Sequence, residues 1–258
     1  MDIDLNSDLG ESFGRWTLGN DVELMKSISS ANVACGYHAG DPVVMRDTVR
    51  MARDHGVAVG AHPGLPDLAG FGRRNMAVTA KEVENMVLYQ IGALAAIAAA
   101  EQVQLHHVKV HGALYNMAVK DRTLADAIAA AVSAIDRRLS LFALPGTELA
   151  RAAEAAGLSL AREGFADRAY EPDGSLTPRS RPGSVIHSAE EVIGRAIRMA
   201  RDGVVRAVNG SDIPMRIDTL CTHGDTPGSH ELTRLLRAGL EAEGISVRAP
   251  RFPPASPA

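Results

Sequence analysis

The chain has 258 residues, 46% of them hydrophobic and 22% charged. These proportions supply a core for one large α/β domain and exclude intrinsic disorder over most of the chain. Lys and Arg total 27 against 31 Asp and Glu, a net charge of −4, and aromatics are 4%. That balance offers neither the basic face of a nucleic-acid reader nor many stacking platforms.

Short apolar runs alternate with longer helical patterns along the chain. Strands are predicted at 3–5 and 32–34, then a helix at 41–55 with Asp41 as cap and Pro42 in its first turn. A strand at 57–59 leads to a helix at 79–100, whose Thr79 and Glu82 have capping-box spacing. Strand 107–110, helix 122–139, strand 139–144, helix 147–156 and strand 158–161 come next. Segment 170–183, YEPDGSLTPRSRPG, lacks any apolar period and is predicted to be a long loop, of the kind that often serves as a lid. Helix 188–202, strands 204–208 and 217–221, helix 229–243 and strand 245–248 complete the series. Gly56, Gly157, Gly203 and Gly244 each stand just past a predicted helix, where a left-handed residue ends it. The alternation predicts a parallel sheet closed into a barrel, one domain over 1–250, with a proline-rich tail at 251–258.

The first residues, Met1-Asp2-Ile3-Asp4, are acidic and do not resemble a signal peptide, and the most apolar run, 91–100, is too short to span a bilayer. Cys35 and Cys221 form no CxxC pair and are expected to be reduced, buried thiols of a cytoplasmic protein. No membrane or nucleic-acid partner is expected, and self-association is left open.

Polar residues collect at the carboxyl ends of the predicted strands, which all open on one face of a parallel barrel. Asn6-Ser7-Asp8 and Glu11 follow the first strand, His38 the second, His62 and Arg73 the third. Lys109 and His111 stand at the end of the fourth, Glu163 and Arg168 after the sixth, and His223 and Asp225 after 217–221. Four of the nine histidines, His38, His62, His111 and His223, thus occupy equivalent places beside a glycine. His55, His106, His107, His187 and His230 fit structural roles at helix ends or on the barrel's other face. Asp8 and Glu11 suit a metal ligand or a general base, and Glu163 needs a partner if buried. Lys109 and His111 alternate across Val110 and point the same way, so Lys109 needs a carboxylate or a phosphate beside it. The phosphate loop GxxxxGK[ST], the elbow GxSxG and the zinc motif HExxH are absent from the sequence.

Six motifs together resemble the LamB/YcsF family: DLNSDLGESFG (4–14), SSANVACGYHAGDP (29–42), GAHPGLPDLAGFGRR (60–74), VKVHGALYN (108–116), EGFADRAY (163–170) and CTHGD (221–225). The resemblance runs over nearly the whole chain. It implies an irregular TIM-like (β/α) barrel of the glycoside hydrolase/deacetylase type. It also implies ATP-dependent opening of 5-oxo-L-proline to L-glutamate, with ATP and Mg as co-substrate and 5-oxoprolinase subunits B and C as partners. Under that reading Asp8, Glu11, His38, Lys109, His111, Glu163 and His223 are the catalytic candidates. Asn6, Asn32, Arg73, Arg168, Arg179 and Asp225 would contact substrate or phosphate. Deacetylase-type barrels hold a divalent metal on a carboxylate and two histidines, whose equivalents here are Asp8, His62 and His111. Two alternatives stand beside it: a free-standing metal-dependent amide or N-acetyl hydrolase, and a non-catalytic subunit that binds substrate or braces its partners.

Overall fold

The computed structural model describes residues 1–178, 180–222 and 228–251. Most of the tail at 251–258 therefore lies outside the described residues, as do Arg179, His223 and Asp225. The first half runs β1 (Asp2–Leu9), α1 (Asp21–Met25), β2 (Ser30–Ala34), α2 (Pro42–His55), β3 (Ala58–His62), a 3-10 turn (Leu68–Gly70), α3 (Ala80–Ala100), β4 (Leu105–Val108), α4 (Gly112–Ala118) and α5 (Arg122–Ile135). The second half runs β5 (Ser140–Ala143), α6 (Glu148–Ala155), β6 (Ser159–Phe165), α7 (Ala189–Asp202), β7 (Val204–Arg206), β8 (Asp212–Pro214), β9 (Thr219–Thr222), α8 (Ser229–Ala242) and β10 (Ser246–Val247).

Seven parallel strands close in the order β1-β2-β3-β4-β5-β6-β9, and β9 pairs back onto β1 with Asp4 opposite Thr219 and Ser7 opposite Thr222. The result is the expected irregular TIM-like barrel. Alternation along β1 explains both sides of its wall. Ile3, Leu5 and Leu9 join the same buried apolar cluster as Val49, Ile91 and Ile128 of the surrounding helices. Each such side chain contributes about 1.5–3 kcal/mol on burial. Asp4, Asn6 and Asp8 instead make hydrogen bonds inside the barrel. The interior is therefore polar, and the apolar core is the layer between strands and helices.

Helix starts follow the predicted chemistry. The Asp41 carboxylate accepts from the backbone N–H of Val43 and Val44, and Thr79 with Glu82 closes both halves of a capping box. Helix α3 has 21 residues and is apolar enough, by length and composition, to cross a membrane. Here it lies on the barrel with Val83, Val87, Ile91 and Leu94 buried, next to α5. Segment 170–183 is tied back to the barrel: the Tyr170 hydroxyl accepts from the Phe165 N–H at 2.8 Å.

The structure corrects several expected elements. The run 204–208 is not a barrel strand. Its β7 pairs antiparallel with β8, Val204 opposite Pro214, outside the barrel. The Asn209-Gly210 turn between them, with Gly210 at φ +84°, is the hairpin signal that an apolar run alone conceals. The last strand shrinks to the two residues of β10 beside the start of β1. Helix α5 stops at Ile135 because the Asp136 carboxylate captures the N–H and guanidinium of Arg138, which competes with another helical turn. Strand β1 continues through Asn6 and Asp8, β3 includes His62, and β6 includes Glu163. These polar residues are in strands, not after them, because a polar barrel interior accepts every second position. Helix α4 was not anticipated.

Candidate active site

Three levels of polar side chains fill the barrel. Lowest is Asp4, whose carboxylate accepts from the hydroxyls of Ser29 (2.6 Å), Ser30 (2.8 Å) and Thr219 (2.6 Å). Burial pushes its pKa up to about 6 against the opposing effect of those three donors.

The middle level is an amide network. Asn6 donates through Nδ2 to Thr219 Oγ1 (2.6 Å) and Glu163 Oε1 (3.3 Å), and its Oδ1 accepts from Asn32 Nδ2 (2.8 Å). Asn32 Nδ2 also reaches Asp8 Oδ1 at 2.9 Å. Asn32 Oδ1 accepts from His107 Nε2 at 2.8 Å, so the proton of that ring is on Nε2. His107 stacks on Phe142 with centroids 4.1 Å apart. Only glycine fits at position 60, since a Cβ there would stand 2.1 Å from the imidazole.

Above it sits Lys109, just past the end of β4. Its ammonium donates to Asp8 Oδ1 (3.0 Å), Glu163 Oε1 (2.9 Å), Asn6 Oδ1 (3.2 Å) and the Cys221 sulfur (2.9 Å). Burial works against the charge, but the Asp8 and Glu163 carboxylates, with the Cys221 sulfur as a hydrogen-bond acceptor, outweigh it and hold Lys109 well above the usual lysine range. Burial likewise pushes the Cys221 thiol up, so the sulfur is a protonated acceptor. Tyr115, on α4, donates its hydroxyl to Glu163 Oε2 (3.1 Å) while accepting from the Leu144 N–H (2.8 Å). Lys109 is thus held as a cation between two carboxylates.

At the mouth, Glu11, His38, His62 and His111 are all buried, and their ligand-type atoms lie within 4.8 Å of one another. His62 Nδ1 faces the Lys109 carbonyl at 2.6 Å and His111 Nε2 faces the Phe71 carbonyl at 2.8 Å. Carbonyls only accept, so the hydrogen-bond network assigns the protons to those two nitrogens. The other nitrogens, His62 Nε2 and His111 Nδ1, stand 3.0 Å apart. Asp8 Oδ2 is 3.3 Å from His62 Nε2, and Glu11 Oε1 is 3.8 Å from His111 Nδ1 and 3.5 Å from His38 Nε2. Burial, then the neighbouring His62 imidazole, brings His111 down to about 3, and burial with His111 and His62 lowers His38 similarly in direction. This donor set of imidazole nitrogens and carboxylate oxygens can hold a divalent metal ion.

The structure brings Asn6, Asp8, Glu11, Asn32, His38, His62, Lys109, His111 and Glu163 into one connected site. Arg73 stands exposed at the rim with its guanidinium 4.9 Å over the Phe71 ring. Arg168 is buried and donates to the backbone carbonyls of Ser184 (3.2 Å) and Thr177 (2.7 Å), which ties both to the end of β6. His223, Asp225 and Arg179 fall outside the described residues. Sequence reasoning missed Asp4, Thr219, Tyr115 and the Lys109 contact of Cys221, and it placed His107 on the far face. The period-two run Asp4, Asn6, Asp8 is a signal that could have found the first. Nothing in the sequence pairs Tyr115 with Glu163.

A protein from Pyrococcus furiosus, named as the A subunit of 5-oxoprolinase, is 56% identical over 247 residues, 96% of this chain and 97% of its own length. The crystal structure of a lactam utilization protein from Thermus thermophilus superposes with a TM-score of 0.93 at 52% identity, covering 96% of this chain and 100% of the other. A family 4 carbohydrate esterase from Streptomyces lividans has a TM-score of 0.50 at 11% identity over 95% of this chain and 91% of its own, which shows a shared barrel fold alone. The profile of the LamB/YcsF family matches residues 3–253, and with relatives this similar over their full length the chain belongs to that family.

Proposed function

We propose that this chain is the lactam-handling subunit of an ATP-dependent 5-oxoprolinase, opening 5-oxo-L-proline to L-glutamate in the cytoplasm together with subunits B and C. The observation that carries the reading is Lys109, a buried cation held between Asp8 and Glu163, in a chain 56% identical to a protein named as the A subunit of 5-oxoprolinase. Opening the ring adds water across the amide: hydroxyl goes to the carbonyl carbon, a proton goes to nitrogen, and the C–N bond breaks. A lactam resists this because resonance strengthens that bond. Transfer of the ATP γ-phosphoryl to the amide oxygen, with Mg and release of ADP, activates the carbon; water adds there, the C–N bond breaks to leave an acyl phosphate, and a second water cleaves that to the carboxylate and inorganic phosphate.

The side chains divide the work. Lys109 offers fixed positive charge to the amide oxygen or to the phosphoryl group placed on it, and such preorganised charge acts strongly in a dry site. Asp8 is the base that takes a proton from water, because it lies nearer the mouth, while Glu163 has both oxygens engaged by Lys109 and Tyr115. Arg73 at the rim is the second cation for phosphate. Asn6 and Asn32 hold Asp8 and Lys109 in register. Glu11, His38 and His111, with His62, line the approach, and a divalent ion held there would polarise a bound oxygen.

The test mixes the purified chain with B and C subunits and measures glutamate release from 5-oxoproline with and without ATP. ATP-dependent release that Lys109→Ala abolishes, in a complex that still assembles, supports the reading. Release that survives this substitution would make the chain a brace. The Glu11–His38–His62–His111 cluster favours a second reading, a metal-dependent amide hydrolase. ATP-independent turnover abolished by a chelator would establish it.

A further inference from the structure

We propose that Glu11, His38, His62 and His111 bind one divalent transition-metal ion of the zinc or cobalt class, in preference to magnesium or calcium. The inference deepens the lactam reading and rests on it for the site's purpose only. Its test reads metal content, so either can fail without the other.

Proton placement is the first argument. Backbone carbonyls take the protons of His62 Nδ1 and His111 Nε2. His62 Nε2 and His111 Nδ1 then face each other at 3.0 Å, a spacing that either a shared proton or a cation bound to both can satisfy. A carbonyl behind each ring is also the usual outer support of a metal-ligating histidine, since it sets the tautomer and aims the other nitrogen.

The donor set is the second. Glu11 Oε1 stands 3.5 Å from His38 Nε2 and 3.8 Å from His111 Nδ1, which places a carboxylate oxygen among the imidazole nitrogens.

His38 is the third. Its ring is fully buried, and neither nitrogen has a hydrogen bond among the described residues. Such a group is costly to bury without a partner. The fold nevertheless makes room for it: a Cβ at Gly64 would stand 2.6 Å from His38 Nδ1. His38 lies parallel to His111 at 3.8 Å, which makes it the weakest of the four ligands.

Ligand chemistry selects the ion. Three imidazoles and one carboxylate suit borderline metals, whereas magnesium and calcium prefer oxygen. The experiment strips the full chain with a chelator. It then titrates it with cobalt(II), followed by visible absorption, and with zinc and magnesium, followed by elemental analysis. We expect about one cobalt or zinc per chain and no competition from magnesium. His62→Gln and Glu11→Gln should each weaken cobalt binding by about 100-fold, and His38→Gln by about tenfold. Circular dichroism checks that each variant folds; Glu11→Gln, equal in size, serves if His62→Gln does not. Less than about 0.1 ion bound by the wild type would overturn the proposal. So would magnesium binding as tight as cobalt, or cobalt affinity unchanged in all the folded variants.

Discussion

The lower and upper parts of the barrel interior are built from the same residue types but completed differently. Below, Asp4, Asn6, Asn32, His107, Thr219 and Glu163 form a network in which each group named has hydrogen-bond partners. Above, His62 Nε2 and His111 Nδ1 face each other at 3.0 Å and His38 has no hydrogen bond among the described residues. A satisfied buried network holds one geometry, and an incomplete one waits for a ligand. The lower part is therefore a frame and the upper part is where chemistry enters. Lys109 stands at the boundary and belongs to both.

Substitutions can break or sharpen this contrast. The largest effect is expected at the boundary. Lys109→Met leaves Asp8 and Glu163 facing each other without a cation, at a cost of about 3–5 kcal/mol in unfolding free energy and about 1,000-fold or more in lactam turnover. The double variant Lys109→Met/Glu163→Gln should regain part of the stability and none of the turnover, measured by urea unfolding and glutamate release. Full recovery of both would mean that Lys109 serves the frame alone.

Next is Asp4, deep in the frame. Its pKa of about 6 lies above the ordinary 3.8, so its contribution to stability is complete below 3.8 and is lost as pH rises through about 6. Asp4→Asn lacks that loss. Relative to the wild type it should gain up to about 3 kcal/mol between about pH 4 and about pH 8 in urea unfolding. A constant difference across that range would show that Asp4 stays in one protonation state.

Tyr115→Phe is milder. It removes the donor to Glu163 Oε2 and the acceptor of the Leu144 N–H, at about 1–2 kcal/mol. Turnover should fall about tenfold through kcat with KM little changed, as expected of a positioning residue. Smallest in stability is Arg73→Ala at the exposed rim, within about 0.5 kcal/mol of the wild type, with KM for ATP or lactam raised instead. An unchanged KM for both would remove Arg73 from the site.

Much of this was readable in the sequence, for identifiable reasons. Caps at Asp41 and Thr79 are local chemistry and appear as predicted. His38, His62, His111 and Lys109 meet on one face because parallel strands send their ends there. The barrel's polar lining was misread: Asn6, Asp8 and Glu163 read as loop residues because a buried strand is expected to be apolar. His107 was assigned to the far face because it stands near the start of a strand, and its partner Asn32 is 75 residues away. Tyr115 depends on a contact with Glu163, 48 residues distant, which no local pattern records. Arg168 was read as a phosphate ligand from its place after a strand; its bonds to the Ser184 and Thr177 carbonyls are contacts that no local pattern records.

Closure of the barrel by β1 against β9 has a consequence for synthesis. Asp4 leaves the ribosome 215 residues before its partner Thr219. Until then β1 can pair with β2 on one edge while its other edge is bare. Its Asp4 and Asn6 lack Thr219, the hydroxyl that joins the lower level of the site. Contacts of such long sequence separation make folding slow and leave intermediates with open strand edges. A nascent chain of this kind is exposed to aggregation until its last quarter emerges, and the site is assembled by the same event that ends that exposure.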